Sequence, residues 1–245
     1  MIRGPVAQTD AATRNRSKYR EKFQHPGINR FYQIILTFLG RYALRLVYRV
    51  RVEGMQKVPT EGSLLYITKH QRNDDIPLGF GHVMMRRRKD NWCVMKDSLA
   101  RWYLFGFWLG NGGIPLNRQN PEKSKRELML AREVLHDGNT LVLFPEQTHF
   151  PYEMGQGRSA GFRFIVGKPK QPVNMMTVGF KYTPRGFLRR TDVVIRLGDV
   201  VSYTRETDPE VFLHERMLEM AELCEMEYPF PPPEGKKARQ PVSAG

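Results

Sequence analysis

The sequence predicts an α/β fold: a mixed central sheet flanked by helices, with an N-terminal amphipathic helix of membrane-interface type. Three observations carry that expectation. Short runs of apolar and β-branched residues alternate with longer segments of helical period. The 245 residues are 40% hydrophobic, enough for one sizeable core. And residues 31–50 (FYQIILTFLGRYALRLVYRV) form the most apolar stretch of the chain, yet carry a polar side chain at every fourth position.

That stretch sets the N-terminal side of the fold. Gln33, Thr37, Arg41, Arg45 and Arg49 form one slanted polar row on a helix. The opposite surface carries Phe31, Ile34, Ile35, Phe38, Leu39, Tyr42, Leu46 and Val47. A spanning helix needs about 20 apolar residues in a row, and the arginines forbid that here. The expectation is a helix over residues 28–49 lying in a membrane interface, its arginines at the headgroups. The alternative is an ordinary amphipathic helix packed on a core. Residues 1–27, before it, are basic and without an apolar signal-type core, so they are expected to form a disordered arm.

The remaining elements follow in order. Residues 48–54 and 63–69 (SLLYITK) read as strands. Residues 74–87 read as a helix, opened by Asp74 and Asp75 where carboxylates favour the helix dipole. Residues 92–96 form a short strand, 97–110 a helix in two pieces, and 112–117 a short strand or extended loop. Residues 121–138 make a helix with Pro at its start and Gly at its end. Strands follow at 140–146 (TLVLFPE), 173–183 and 192–199, then a closing helix at 208–226, where Met217, Met220 and Met226 read as core filler. The folded domain is therefore expected to span residues 28–229, and the Pro-rich residues 230–245 to form an unfolded tail.

Charge and cysteine content narrow the function classes. A net charge of +14 calls for an anionic partner: nucleic acid, an acidic membrane surface or a phosphorylated substrate. No zinc spacing, RNA-binding aromatic signature or obvious recognition helix is present, and the basic residues are spread along the chain, so nucleic acid is not the expected partner. The two cysteines, Cys93 and Cys224, have no second Cys or His at metal-ligand spacing and read as reduced core thiols. No metal site is expected.

Candidate chemistry begins at KHQRNDDIP, residues 69–77. His70 ends a strand and Asp75 opens the next helix, an H-x4-D spacing. At such a corner the carboxylate reaches back to the imidazole, fixes its tautomer and stabilises its protonated form. His70 is then a general base for a substrate hydroxyl, with no serine or cysteine nucleophile required. By itself the spacing is weak: chance supplies it in about one chain of this composition in five. Lys96 and Arg118 flank the segment that contains Gly112 and Gly113, a point charge and a planar fork suited to phosphate, with glycines that permit close backbone approach. Solvated surface is the bland reading of both cations. The strand at 140–146 runs into Phe144, Pro145 and Glu146, and ligands in open α/β sheets gather at the carboxyl ends of strands. A competing reading is GRSAG, residues 157–161, a G-x-S-x-G match with Asp192 or Asp199 and then His214 downstream, the order of a serine hydrolase. A loop rather than a strand precedes Ser159, and His214 falls within a helix.

Taken in order, these pieces resemble the glycerolipid acyltransferases of the lysophosphatidate (1-acylglycerol-3-phosphate) type. That family carries N-H-x4-D, then a lysine-bearing segment ending in G-x-I-F-I-D-R, then F-P-E-G-T-R, then V-P-I-V-P-V. Here the blocks read Lys69-His70…Asp75, Lys96…Gly112-Gly113-Ile114-Pro115-Leu116-Asn117-Arg118, Phe144-Pro145-Glu146-Gln147-Thr148-His149, and Pro172-Val173-Asn174-Met175-Met176-Thr177-Val178. Order and spacing match across residues 30–200. Lys69 departs from the family Asn, Asn117 from its Asp, Gln147 and His149 from its Gly and Arg, and the last block lacks its second proline. The resemblance implies acyl transfer: His70, held by Asp75, activates the hydroxyl of a lyso-phospholipid acceptor. The donor is acyl-CoA or acyl-carrier protein, used as co-substrate with no bound cofactor. Lys96, Gly112, Arg118, Phe144, Pro145, Glu146 and Thr148 would bind substrate, with Lys96 and Arg118 on the acceptor phosphate. It also implies a protein associated with an anionic membrane surface on the cytoplasmic face.

Overall fold

The structure is a computed structural model that describes residues 18–100, 106–117, 121–186 and 189–233. The chain enters through a short helix, α1 (residues 18–23), and then α2 (Arg30–Arg41). Strands β1 (Tyr48–Glu53) and β2 (Leu64–Thr68) follow. Next comes α3 (Asp75–Gly79), which widens into a π turn over Phe80–Met84 and closes as α4 (Met85–Arg87). Strand β3 (Asn91–Lys96), the short α5 (Phe107–Gly110) and β4 (Gly113–Leu116) lead to α6 (Lys125–His136) and β5 (Thr140–Leu143). The chain ends with α7 (Ser159–Val166), β6 (Val173–Thr183), β7 (Thr191–Leu197), β8 (Val201–Tyr203) and α8 (Pro209–Cys224).

The strands form one mixed sheet in the order β1-β7-β6-β2-β5-β3-β4, with β8 pairing β6. Strand β6 is antiparallel to β7 and β8, and the other pairings are parallel. The expected α/β class with a mixed sheet is therefore the observed one. Strand β2 is central and buried throughout, which is why its sequence is a continuous apolar run rather than an alternation. Its odd-numbered residues Leu65 and Ile67 face the core under α6, α7 and α8, while Leu64 and Tyr66 face the core under α2 and α3.

Three expectations about the chain's organisation change. Residues 18–27 are not a disordered arm. Tyr19 and Phe23, one helical turn apart, are buried in the core, and Tyr19 meets Trp92 edge to face at 5.2 Å. The Tyr19 hydroxyl donates to Asp137 (2.7 Å), Lys18 and Lys22 pair with Glu133, and a ring nitrogen of His25 lies 2.9 Å from the Gly113 carbonyl. Residues 1–17 lie outside the described residues. The helix expected over 28–49 ends at Arg41. Residues Ala43–Leu46 form a 3-10 turn, and Arg49 already belongs to β1, where it reaches Asp192 at 3.8 Å. The tail expected from residue 230 packs at its beginning, where the Phe230 ring lies 5.1 Å from Tyr228 and Tyr228 lies 5.5 Å from His214; residues 234–245 lie outside the described residues.

Helix α2 is amphipathic in an inverted sense. Gln33, Leu36 and Gly40 are buried, and Gly40 packs so closely on the Pro77 backbone that a Cβ there would sit 1.7 Å from its carbonyl oxygen. The polar row thus begins against the protein, whereas the apolar surface faces out: Phe31, Ile34 and Phe38 are each more than 60% exposed, and Leu46 beyond the helix is 84% exposed.

Candidate active site

His70 lies two residues beyond β2, at the carboxyl end of the central strands, and Asp75 stands in the first turn of α3. The H-x4-D spacing works because the intervening turn folds onto the carboxylate. Asp75 Oδ2 accepts the backbone N–H of Gln71 (2.6 Å) and Arg72 (2.7 Å), and lies 3.3 Å from His70 Nδ1. Its Oδ1 accepts the hydroxyl of Tyr182 from β6. Asp75 is buried, so it gives up water for these donors. With Nδ1–H directed at Asp75, Nε2 becomes the accepting nitrogen of His70, and the imidazole is 8% exposed. Burial, and then the Asp75 charge, push the Tyr182 hydroxyl far above the usual phenol range, which keeps it a donor.

A second carboxylate stands on the backbone side of His70. Glu146 follows β5 through Phe144 and Pro145, and its carboxylate is enclosed by protein donors. Oε1 accepts from the Lys69 ammonium (2.6 Å) and the Gly155 N–H (2.6 Å), and Oε2 faces the His70 N–H (3.4 Å). Both side chains of the Lys69–Glu146 pair are wholly buried. Lys69 also donates to the Glu153 carbonyl (2.9 Å) and lies 5.6 Å from the Phe150 ring, whose backbone N–H donates to the His70 carbonyl (3.0 Å). The pair therefore ties residues 150–155 to the end of β2 and fixes the backbone that carries His70. Burial raises the Glu146 carboxyl above its usual range, while Lys69 and the two N–H groups pull it back down. The Glu146 carboxylate thus holds the site's framework, joining the Lys69 ammonium, the Gly155 N–H and the His70 N–H.

Two rings lie against the His70 imidazole, Phe144 at 4.4 Å and His149 at 3.9 Å between centroids. Phe144 and Pro145 also line a cavity of about 360 Å³ bounded by β3, β4, β5, α6 and α7. Its lining is mostly apolar, with Asn117, Glu122, Ser124, Lys125, Gln147 and Arg158 as the polar members. Gln147 has φ of 60°, the left-handed region that favours glycine, at the position where the resembling F-P-E-G block has its Gly.

The other expected site residues are placed unevenly. Lys96 ends β3 and is exposed, and Thr148 is exposed beside His149. Gly112 is buried at φ of 81°, where a Cβ would sit 2.6 Å from the Asn91 carbonyl oxygen, so a glycine there lets β3 and β4 pack closely. Arg118 lies outside the described residues. Ser159 opens α7 after a loop, and although it shares a cavity of about 160 Å³ with His214, that histidine sits inside α8. No strand feeds Ser159, so the hydrolase elbow is not formed. Sequence reasoning missed Lys69 and Tyr182 as site residues. The one signal for Lys69 was a cation at the end of an otherwise apolar central strand.

A profile of the acyltransferase family matches residues 49–178, more than half of the 245-residue chain. The chain belongs to the acyltransferase family. The matched acyltransferase span takes in His70, Asp75, Lys69 and Glu146 and leaves out α2 and α8. A curated relative, the chloroplastic 1-acyl-sn-glycerol-3-phosphate acyltransferase LPAT1 of Arabidopsis thaliana, is 23% identical over 173 residues, 69% of this chain. The chain spans 45% of that relative's length. Among solved structures, the 1-acyl-sn-glycerophosphate acyltransferase PlsC from Thermotoga maritima is similar with a TM-score of 0.60 at 19% identity, covering 90% of this chain and 91% of that one. That similarity is one of fold, and it places the mixed sheet and its flanking helices within the acyltransferase architecture.

Proposed function

We propose that this protein transfers a fatty acyl group from acyl-CoA or acyl-carrier protein to the hydroxyl of a lyso-phospholipid, with 1-acylglycerol 3-phosphate as the first acceptor to test and phosphatidate as product. The observation that carries the reading is the His70–Asp75 pair: an imidazole whose Nδ1 faces a buried carboxylate at 3.3 Å, at the carboxyl end of the central strands. His70 Nε2 takes the proton of the acceptor hydroxyl. The hydroxyl oxygen attacks the thioester carbonyl carbon and forms the new C–O bond. The C–S bond then breaks with its electron pair on sulfur, and the imidazolium returns the proton to that thiolate. Ester and thiol are the products, His70 is restored, and no metal or bound cofactor takes part. Asp75 stabilises the imidazolium while it exists. Lys96 and Arg118 are assigned to the acceptor phosphate.

The acceptor is reached at a membrane surface in this proposal. No helix of the described residues is long and apolar enough to cross a bilayer. The outward face of α2, with Phe31, Ile34 and Phe38 exposed and Arg41 and Arg45 at its end, suits a helix lying in the interface of an anionic membrane, on its cytoplasmic side.

The test is to incubate purified protein with oleoyl-CoA and a panel of hydroxyl acceptors and to read products by mass. The panel holds lysophosphatidate, glycerol 3-phosphate and lyso-ornithine lipid, each run beside His70→Ala. A new acylated lipid that disappears in His70→Ala supports the mechanism and names the acceptor. A product formed equally well without His70, or none with any acceptor, overturns it.

A further inference from the structure

We infer that the arginines flanking the β6–β7 connection, together with those at the end of α2, form a docking surface for the phosphate headgroups of an anionic bilayer, and that this surface turns the His70 edge of the sheet towards the membrane. The inference rests on the membrane-interface reading of α2 and adds a second, charged foothold beside the chemistry.

The topology puts these arginines on the edge of the sheet that carries His70. Val178 is the last residue of β6 paired with β2, opposite Thr68. Strand β6 runs on to Thr183, still paired with β7, so the hairpin projects about 17 Å beyond the end of β2. Tyr182, near the end of β6, donates to Asp75, which joins this ribbon to the site. The chain leaving α2 meets the same edge. Arg190 donates to the Arg45 carbonyl (3.3 Å), and the Thr191 N–H donates to the Val47 carbonyl (2.9 Å).

Charge argues next. Arg45, Arg49, Arg185, Arg189 and Arg190 are all exposed. Arg49 and Arg185 reach one carboxylate, Asp192, at 3.8 and 2.5 Å. Among the described residues, Arg45, Arg189 and Arg190 make no ion pair. Five guanidinium groups with one carboxylate partner repel one another until an external anion joins them, and their planar forks suit phosphate. What borders them selects the partner. Tyr42, Leu46 and Val47 are 53%, 84% and 52% exposed beside Arg45. A nucleic acid would cover the arginines and leave these side chains in water. A bilayer offers phosphate at its surface and acyl chains beneath, so it meets both.

The test is co-sedimentation of the full chain with vesicles of phosphatidylcholine, alone and mixed with phosphatidylglycerol. Arg189→Gln/Arg190→Gln removes two charges from the edge, and Arg189→Lys/Arg190→Lys keeps them. Lys168→Gln/Lys170→Gln removes two exposed charges just before β6, at the opposite edge. An arginine near an anionic surface contributes about fivefold in affinity, so Arg189→Gln/Arg190→Gln should bind the mixed vesicles about thirtyfold more weakly. Binding to phosphatidylcholine alone should not change. The lysine variant should regain most of the affinity, and Lys168→Gln/Lys170→Gln should stay near wild type. The deficit should vanish at about 1 M salt, where the Debye length is about 3 Å. Turnover of a short-chain lysophosphatidate supplied without vesicles should be the same in Arg189→Gln/Arg190→Gln as in wild type.

Equal weakening in both glutamine variants would reduce the effect to net charge and overturn the surface. Equal loss of turnover on the vesicle-free acceptor would overturn it too, by assigning the arginines to the site. Weakened binding of a DNA duplex with vesicle binding intact would assign them to nucleic acid instead. Full vesicle binding by Arg189→Gln/Arg190→Gln, beside its loss in Phe31→Ser/Phe38→Ser, keeps the α2 reading and overturns the second foothold. A wild type that sediments with neither vesicle overturns the membrane reading itself.

Discussion

The Asp75 side and the Glu146 side of His70 each present a buried carboxylate, and their surroundings give them different work. Asp75 is bonded by neutral donors, two backbone N–H groups and the Tyr182 hydroxyl, and among the described residues no lysine or arginine pairs with it. In the proposed mechanism it faces the positive charge that appears on His70 during proton transfer. Glu146 already has its countercharge in Lys69, with which it shares a fully buried ion pair. It acts on the histidine through the backbone and the loop, not through the ring. One carboxylate meets the imidazole and the other meets the backbone of the same residue, and a lysine neutralises the second.

The sharpest way to break this comparison is at Asp75. Asp75→Asn keeps the shape and removes the charge, and should lower kcat by about 10³- to 10⁴-fold with the fold retained, measured by steady-state rates beside circular dichroism. A loss under tenfold would show that the charge is not used. On the other side, Lys69→Met strands a buried carboxylate and should cost about 3–5 kcal/mol in denaturant unfolding, while Lys69→Met/Glu146→Gln, which leaves no buried charge, should regain most of it. Equal stability of the single and double variants would make the pair dispensable.

The pH dependence separates the two sides further. Burial holds the Glu146 carboxyl above its ordinary value of 4.5, so the folded state binds that proton more tightly than the unfolded chain does. Its contribution to stability is therefore present below pH 4.5 and declines as pH rises through the raised folded value. The stability difference between wild type and the Lys69→Met/Glu146→Gln variant should shift against the wild type over that rise, read from urea midpoints; a flat difference would contradict it. The smallest expected effect is at Gln147→Gly, which relieves a left-handed backbone and should stabilise the protein by up to about 1 kcal/mol in the same unfolding assay.

Much of this was legible in the chain, for reasons visible in particular residues. The strands at β2, β5 and β6 were readable because central strands buried on both faces are continuous apolar runs. The His70–Asp75 corner was readable because a carboxylate in a first helical turn has few places to reach. Lys69 was not, since a lysine is by default exposed and its partner lies 77 positions away. The packing of Tyr19 and Phe23 was hidden because two aromatic residues a turn apart in a basic segment give too short a pattern to register as a helix. Helix α7 was obscured by the G-x-S-x-G match at its start. In α2 the polar row was read past its true end, because arginines continue at the same spacing into a 3-10 turn and β1, where helical period no longer applies.

The sheet order leaves β1 and β4 as its two outermost strands, and each is guarded against pairing with another chain in its own way. On β4, Pro115 lacks a backbone donor and the His25 ring lies against the Gly113 carbonyl, so the segment preceding α2 occupies part of that border. On β1, Arg49 and Arg51 project charge, 57% and 71% exposed. If α2 lies in a membrane interface, as proposed, copies gathered on that surface make this matter more than it does in dilute solution. Crowded neighbours can meet border to border without zippering into a shared sheet, and truncation before residue 26 would expose β4 to aggregation as well as loosening the core.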